Sequence, residues 1–156
     1  MNKNELLKII IERLQADYSE SVNAINETAE IATHEENIAK SKYDTKSIEA
    51  SYLVEGQLRR NAELEEEITS YQAMRIKTFD QNSRVLLSAL IKVEDEDGKI
   101  IQFFMGPQAG GMIIDSVQLI TPRSPLGQEL LGKYVGDEVC VSLDNELKTY
   151  KIISLS

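Results

Sequence analysis

Cysteine is nearly absent from this chain of 156 residues, and its single cysteine, Cys140, leaves no disulfide possible within the chain. This usage is typical of a reducing compartment, so we expect a cytoplasmic protein. Long apolar runs are also lacking, and no segment is expected to cross a membrane. With one histidine and one cysteine, the chain offers neither a Ser-His-Asp triad nor a Cys/His metal cluster. We therefore do not expect an enzyme in its own right.

Positive charge is in short supply as well. The chain has 17 Lys and Arg against 26 Asp and Glu, a formal net charge of −9, and both halves are acidic. Binding to a bare phosphate backbone requires a cationic surface, and no such footprint is visible. A role near nucleic acid is therefore expected to run through a protein partner. The alternative is that the charge only keeps the protein soluble.

The first 78 residues lack proline and contain a single glycine, Gly56, and they are rich in Glu, Leu, Ile, Ala and Lys, which indicates helix. Apolar residues follow one another at steps of three and four, as in a coiled-coil seam. The seam positions are Leu7, Ile11, Leu14, Tyr18, Val22, Ile25, Ala29 and Ala32. Asn2 and Glu5 have the spacing of a capping box, and we predict a helix here rather than a signal peptide.

A second helical stretch follows a polar break. The seam fades after Ala32, and helical spacing resumes after Asp44 and Thr45, either of which can cap a helix. Its apolar positions include Ile48, Leu53, Leu58, Leu64, Ile68 and Tyr71. Two helices of similar length with a short polar break predict an antiparallel coiled-coil hairpin with arms of roughly 40–50 Å. A helical hairpin of this length is expected to extend to a partner molecule.

The rest of the chain changes to the period of strands. Strands are predicted at residues 84–93, 100–105, 112–120, 139–143 and 149–154. Ser124 and Pro125 predict the cap and first residue of a short helix that ends at Gly132. The sequence therefore predicts an α+β fold with two regions, a helical hairpin over residues 1–78 and a β-rich domain over residues 79–156.

Residues 120–139 carry a specific pattern. They read ITPRSPLGQELLGKYVGDEV, with SPLG at 124–127, LLGK at 130–133 and VGDEV at 135–139. In order and spacing this segment resembles the C-terminal signature of the Gre (GreA/GreB) transcript-cleavage factors. The hairpin before it has about the right length, so the resemblance covers nearly the whole chain. On physical grounds alone, the segment predicts only a cap, a short helix, a glycine stop and a tight turn.

The resemblance implies a fold and a partner. It implies an FKBP-like antiparallel β domain with one short helix, which in Gre factors docks on RNA polymerase at the rim of the secondary channel. The loop before the short helix is part of that docking surface, and here it consists of Pro122, Arg123, Ser124 and Pro125. Many relatives have an acidic or amide residue in place of Arg123, which leaves the polarity of the contact open.

The resemblance also implies chemistry at the tip of the hairpin. In the family, tip carboxylates help to hold the second catalytic magnesium ion of the polymerase, whose own active site then hydrolyses backtracked RNA. Magnesium prefers hard oxygen ligands, and a two-metal site stabilises both the attacking and the leaving oxygen. The family's tip string, GDLKENAEY or close to it, is absent here. The acids available are Glu35, Glu36 and Asp44, which we expect to act as a set on the shared Mg²⁺, with no metal bound by this chain alone.

Simpler roles for these acids stay open. Glu35 and Glu36 can be ordinary solvated glutamates. Asp44 can be a helix cap, which needs only one acceptor oxygen and is compatible with a role in catalysis.

Taken together, these features predict a transcription elongation factor. It is expected to bind bacterial RNA polymerase, insert its coiled coil in the secondary channel and stimulate cleavage of backtracked RNA. We expect a monomer with no cofactor of its own, and only indirect contact with nascent RNA and DNA. The altered tip motivates a first alternative, a Gre-like regulator or inhibitor that binds polymerase without stimulating cleavage. A second alternative is a self-associating coiled-coil scaffold with no polymerase partner.

Overall fold

The computed structural model describes the backbone of residues 2–38 and 45–156, and the side chains of this part except those of residues 31–38, 45–48 and 50. The chain divides into two compact units. One consists of Met1–Ile10 together with Ser70–Ser156, and the other is Ile11–Thr69. The domain boundary that the sequence predicts after residue 78 stays a prediction.

Two long helices form the N-terminal region, as predicted. Helix α1 spans Lys3–Ile38 and helix α2 spans Thr45–Ala73. The predicted capping box is present, because the Glu5 amide donates to Asn2 Oδ1 over 2.8 Å and the Asn2 amide donates to Glu5 Oε2 over 3.2 Å. The Glu5 amide is one of the donors that the helix itself leaves without a partner. Within the described residues, we find no helix long and apolar enough to cross a membrane.

The first turn of α1 is also held by its lysine. Lys3 Nζ donates to the Lys77 carbonyl and lies 4.7 Å from the centre of the Phe79 ring. Partial burial lowers the pKa of the Lys3 amine below its ordinary value of 10.5, because burial disfavours the charged form. The start of α1 and residues 77–79 are thus joined within one compact unit.

Helices α1 and α2 run antiparallel in the unit Ile11–Thr69. The Tyr18 hydroxyl donates to Glu65 Oε1 over 2.8 Å. Farther along α1, Ala24 lines a groove together with Gln57. As the residue number rises along α1, the residue numbers of its neighbours on α2 therefore fall, which is the geometry of a helical hairpin.

The burial pattern corrects the start of the α1 seam. Leu6 and Ile10 are the fully buried residues there, whereas the predicted Leu7 and Ile11 are half-buried. Leu14 is fully buried as predicted. The prediction chose Leu7 and Ile11 because they are regularly spaced with Leu14. The buried residues at these two steps, Leu6 and Ile10, each lie one position earlier.

The seam of α2 also differs from the prediction. The predicted Leu53 and Leu58 are 56% and 52% exposed. The inward positions follow steps of three and four through polar residues, and they are Val54, Gln57, Asn61, Leu64, Ile68 and Tyr71. A search for apolar residues alone misses such a seam, because two of its positions carry amides.

The C-terminal part forms one six-stranded sheet in the order β3-β4-β2-β1-β6-β5. The strands are β1 (Leu90–Glu94), β2 (Ile100–Met105), β3 (Ile113–Ile114), β4 (Val117–Ile120), β5 (Glu138–Leu143) and β6 (Glu146–Leu155). One short helix, α3 (Pro125–Leu130), follows β4. A helical region followed by a sheet domain with one short helix confirms the predicted fold class.

The sheet is mixed, whereas antiparallel strands were predicted. Strands β2 and β4 are parallel, with Gln102 opposite Val117, and every other neighbouring pair is antiparallel. The difference arises because residues 112–120 form a hairpin instead of the single predicted strand. Asp115 and Ser116 are the two-residue turn between β3 and β4, so the chain reverses once more than expected.

Two other strand predictions are corrected in detail. Residues 84–89, predicted as the start of a strand, precede β1, and of these only Arg84 takes part in an isolated bridge. The last hairpin is present with longer strands, joined by Asp144 and Asn145. Their φ angles of 52° and 64° match a type I′ turn, which suits the twist of paired strands.

The hydrophobic core of this unit packs α3 against the sheet. Its apolar side chains are almost completely buried and come from five strands, the segment before β1 and the helix. Its members are Val85, Ala89, Ile91, Val93, Phe103, Met105, Ile120, Leu126, Leu130, Val139, Val141, Tyr150, Ile152 and Leu155. Burial of such side chains contributes roughly 1.5–3 kcal/mol each, which anchors α3 and the loop that precedes it.

Candidate partner-docking site

The predicted tip carboxylates fall outside the described side chains. Glu35 and Glu36 belong to the last turn of α1, but their side chains are not described, and Asp44 lies outside the described residues altogether. Their joint action on a magnesium ion therefore stays a prediction. In the described part of the chain, no group of three or more His, Cys, Asp or Glu side chains is placed to hold a metal ion.

The docking segment predicted at residues 122–125 contains the cap of α3. Ser124 has extended backbone, with φ −69° and ψ 152°, and its Oγ accepts a hydrogen bond from the Gly127 amide over 3.2 Å. Pro125 is the first helical residue, where a missing amide removes no intrahelical bond. The cap and the helix start predicted from the sequence are confirmed.

Thr121 holds the docking segment from its other end. The Ser124 hydroxyl donates to the Thr121 carbonyl over 2.8 Å, and the Ser124 amide donates to the same carbonyl over 3.1 Å. Gly127 approaches from the helix side, because a Cβ built there would lie 1.7 Å from the Thr121 carbonyl oxygen. The Thr121 hydroxyl also accepts from the Ser124 amide over 3.2 Å. Thr121 was not predicted, although a hydroxyl residue three positions before a capping serine is a signal for this bond.

The outer surface of the segment offers one charged and one apolar side chain. Arg123 and Pro125 are exposed, and Pro122 is half-buried. Gln128 Nε2 donates to the Arg123 carbonyl over 3.1 Å, so the backbone that carries the guanidinium is held by the helix. Below the segment, Leu126 is buried in the core. The segment is therefore an exposed loop in which the Arg123 carbonyl and the Ser124 amide already have partners within the protein.

The last turn of α2 contacts the loop at residues 106–111, which belongs to the same compact unit. Tyr71 is fully buried, and its hydroxyl donates to the Gln108 carbonyl over 2.6 Å. Its ring lies across Gly106, where a Cβ would be 2.1 Å from the hydroxyl oxygen. Only glycine leaves room for the ring there. Tyr71 was predicted as a seam residue, but its bond to a residue 37 positions away has no local signal in the sequence.

Comparisons with known proteins bear on the same residues. Residues 80–156 match the family described as "Transcription elongation factor, GreA/GreB, C-term". The chain is similar to "Transcription elongation factor GreA" of Desulfovibrio desulfuricans, with 29% identity over 146 residues, which are 92% of this chain and 83% of the relative. It is also similar to the GreA of Vibrio vulnificus, with 28% identity over 154 residues, 97% of this chain and 91% of the relative.

Solved structures that resemble the chain include the GreA factor homolog 1 (Gfh1) of Thermus thermophilus. That match has a TM-score of 0.41 at 19% identity and covers 94% of each chain. The Gfh1 of Thermus aquaticus gives a TM-score of 0.42 at 20% identity and covers 95% of this chain and 94% of that one. The family match over residues 80–156 contains the signature at residues 120–139 from which the resemblance was drawn. Residues 80–156 therefore belong to the GreA/GreB family of transcription elongation factors.

Proposed function

We propose that this protein is a Gre-type transcription elongation factor that binds bacterial RNA polymerase and stimulates cleavage of backtracked RNA. The observation that carries the proposal is the GreA/GreB match over residues 80–156, which contains the docking segment. The polymerase performs the hydrolysis, and the protein acts as its activator in the cytoplasm. Contact with nascent RNA and DNA is indirect, which agrees with a net charge of −9.

In this proposal the docking segment, residues 122–125, contacts the polymerase. Two features support it. Arg123 and Pro125 are exposed, so both are available to a partner. The backbone below them is held by Ser124 and Gln128, so little conformational entropy is lost when the loop docks.

The helical hairpin is proposed to enter the secondary channel and present Glu35, Glu36 and Asp44. These acids would supply oxygen ligands to the magnesium ion shared with the polymerase active site, where the ion stabilises charge on the reacting oxygens. The antiparallel arrangement of α1 and α2 supports this assignment, because the end of α1 and the start of α2 then lie at the same end of the hairpin.

Transcript cleavage in stalled complexes tests the proposal. Backtracked bacterial elongation complexes would be mixed with wild-type protein or with the triple variant Glu35→Ala, Glu36→Ala, Asp44→Ala. We expect wild type to accelerate release of the RNA 3′ fragment, and the tip variant to lose at least about tenfold of that acceleration while binding polymerase normally. A triple variant with the same charge change, Asp17→Ala, Glu20→Ala, Glu27→Ala, removes exposed acids of α1 and should retain the acceleration.

The same experiment separates the alternatives. If wild type binds polymerase but never raises cleavage, the protein is a Gre-like regulator or inhibitor without cleavage stimulation. If polymerase is not bound and sedimentation shows a stable dimer, the protein is a coiled-coil scaffold instead.

A further inference from the structure

We infer that Tyr71 is a positioning residue for the docking segment, residues 122–125. Three stretches that lie far apart in the sequence form a continuous series of contacts within one compact unit: the last turn of α2, the loop at residues 106–111, and the docking segment. The inference rests on the proposed function where it assigns Tyr71 a part in polymerase binding. The series of contacts itself is independent of that function.

The first contact joins α2 to the loop. The Tyr71 hydroxyl donates to the Gln108 carbonyl over 2.6 Å, and the Tyr71 side chain is 0% exposed. The ring occupies the space where Gly106 lacks a side chain. A part-buried hydrogen bond and a close ring contact, one on each side of residue 107, fix the loop relative to the helix turn.

The second contact joins the loop to the residues just before the docking segment. The Gly106 amide donates to the Ile120 carbonyl over 2.9 Å. Gly110 lies against Thr121, because a Cβ built on Gly110 would be 3.3 Å from Thr121 Cγ2. The loop thus contacts two successive residues at the point where β4 ends and the docking segment begins.

The third contact lies within the docking segment. The Thr121 carbonyl accepts hydrogen bonds from the hydroxyl and the amide of Ser124. A shift of Thr121 therefore moves the acceptor on which the cap of α3 depends. Through these contacts, the hydroxyl of Tyr71 controls how well Ser124, and with it the exposed Arg123, is held in place.

Tyr71→Phe tests the inference, because it removes the hydroxyl and keeps the ring against Gly106. We expect hydrogen exchange at the amides of Ser124 and Gly127 to rise about three- to tenfold, which corresponds to the loss of one ordinary hydrogen bond. We expect the Kd for core RNA polymerase to rise by a similar factor. The exchange measurement needs no polymerase, so it reports on the contacts even if the proposed function is wrong.

Tyr18→Phe is the matched control. It removes a hydroxyl that donates to Glu65 Oε1 over 2.8 Å in the other compact unit. Exchange at Ser124 and Gly127, and the Kd for polymerase, should stay within about twofold of wild type. The control therefore separates the position of Tyr71 from the general effect of losing a tyrosine hydroxyl.

Gly110→Ala disturbs the second contact without touching Tyr71. The added methyl group would press on Thr121 Cγ2, and the Ser124 and Gly127 amide resonances should shift as they do in Tyr71→Phe. Gly56→Ala, with no atom within 4 Å of its Cβ, should leave those resonances in place. Agreement between the two perturbed variants supports the series of contacts.

Three results would overturn the inference. One is unchanged exchange at Ser124 and Gly127 in Tyr71→Phe. Another is an equal rise in exchange along β5 and β6, which would show general destabilisation. The third is raised local exchange with an unaltered Kd for polymerase, which would make Tyr71 a structural residue only. If wild type fails to bind polymerase while the local exchange still rises, the contacts are supported and the proposed function fails.

Discussion

A Cβ on Gly127 would lie 1.7 Å from the carbonyl oxygen of Thr121. That carbonyl cannot simply move away, because it accepts hydrogen bonds from both the hydroxyl and the amide of Ser124. Glycine is a poor helix former, yet here it lies inside a six-residue helix. The close approach of the Thr121 backbone explains why glycine occupies this position.

We predict that Gly127→Ala destabilises the protein by about 1–3 kcal/mol, the usual range for adding a carbon atom to a packed site. Chemical denaturation measures the change. The matched control is Gly56→Ala, an exposed position inside α2 whose Cβ would have no neighbour within 4 Å. That substitution should stabilise by about 0.5–1 kcal/mol, because alanine favours helix. Equal effects at the two sites would contradict the role given to Thr121.

Ser124→Ala should lower the free energy of unfolding by about 1 kcal/mol, since it removes the side-chain cap of α3. If the segment docks on RNA polymerase, the same variant should also bind polymerase more weakly, because the backbone under Arg123 loses its support. Thermal unfolding and a polymerase binding titration measure the two effects. Ser142→Ala, at an exposed position of β5, serves as the control and should change neither quantity. A fully stable Ser124→Ala variant would argue against the cap.

Asn61→Leu should stabilise the helical unit by about 1–3 kcal/mol. Asn61 Oδ1 and Gln57 Oε1 are buried in the seam of α2, and neither has a hydrogen-bond partner among the described residues. Leaving a buried polar group unsatisfied carries a penalty of that size, and leucine removes it. Helix unfolding followed by circular dichroism measures the change. The control Asn23→Leu, at an exposed position of α1, should stay within about 0.5 kcal/mol. A less stable Asn61→Leu variant would show that the amide is satisfied in solution.

Part of the loss of folding stability at acid pH should come from Asp80. Its pKa lies below the ordinary value of 3.8, chiefly because the Ser83 hydroxyl donates to the carboxylate over 2.7 Å, and also because the Asn82 amide donates to it. Since folding lowers this pKa, the contribution is present above pH 3.8 and is lost as the pH falls through the folded-state pKa. In Ser83→Ala, the pKa of Asp80 measured by NMR titration should rise toward 3.8, whereas Ser142→Ala should leave it in place. An unmoved midpoint in Ser83→Ala would exclude the hydroxyl as the cause.

Local hydrogen bonds were predictable from the sequence, and distant ones were not. The capping box of Asn2 and Glu5 and the cap at Ser124 each join residues three positions apart, so spacing alone predicts them. The bond of Tyr71 to Gln108 spans 37 positions, and nothing in the local pattern indicates it. The fold class was predictable for the same reason, since helical and strand periods are local properties.

The errors in the predicted seam of α2 and in the predicted sheet each have a physical reason. The inward face of α2 passes through Gln57 and Asn61, so apolar spacing pointed to the exposed Leu53 and Leu58 instead. In residues 112–120, apolar side chains on both sides of Asp115 hide a turn. The docking role of residues 122–125 was predicted from resemblance to a family, because the physical pattern alone indicated only a connector. The predicted tip acids, Glu35, Glu36 and Asp44, come from a stretch whose sequence has no pattern to fix their register.

The unit that holds the sheet is drawn from two separate stretches of sequence, Met1–Ile10 and Ser70–Ser156. A fragment excised at residue 79 would therefore keep all six strands and still be incomplete. Its Phe79 would lose the ammonium group of Lys3, and Gly106 would border a hollow left by the missing tyrosine. Screens for ligands or antibodies against such a truncated piece would sample surfaces that the intact protein never displays.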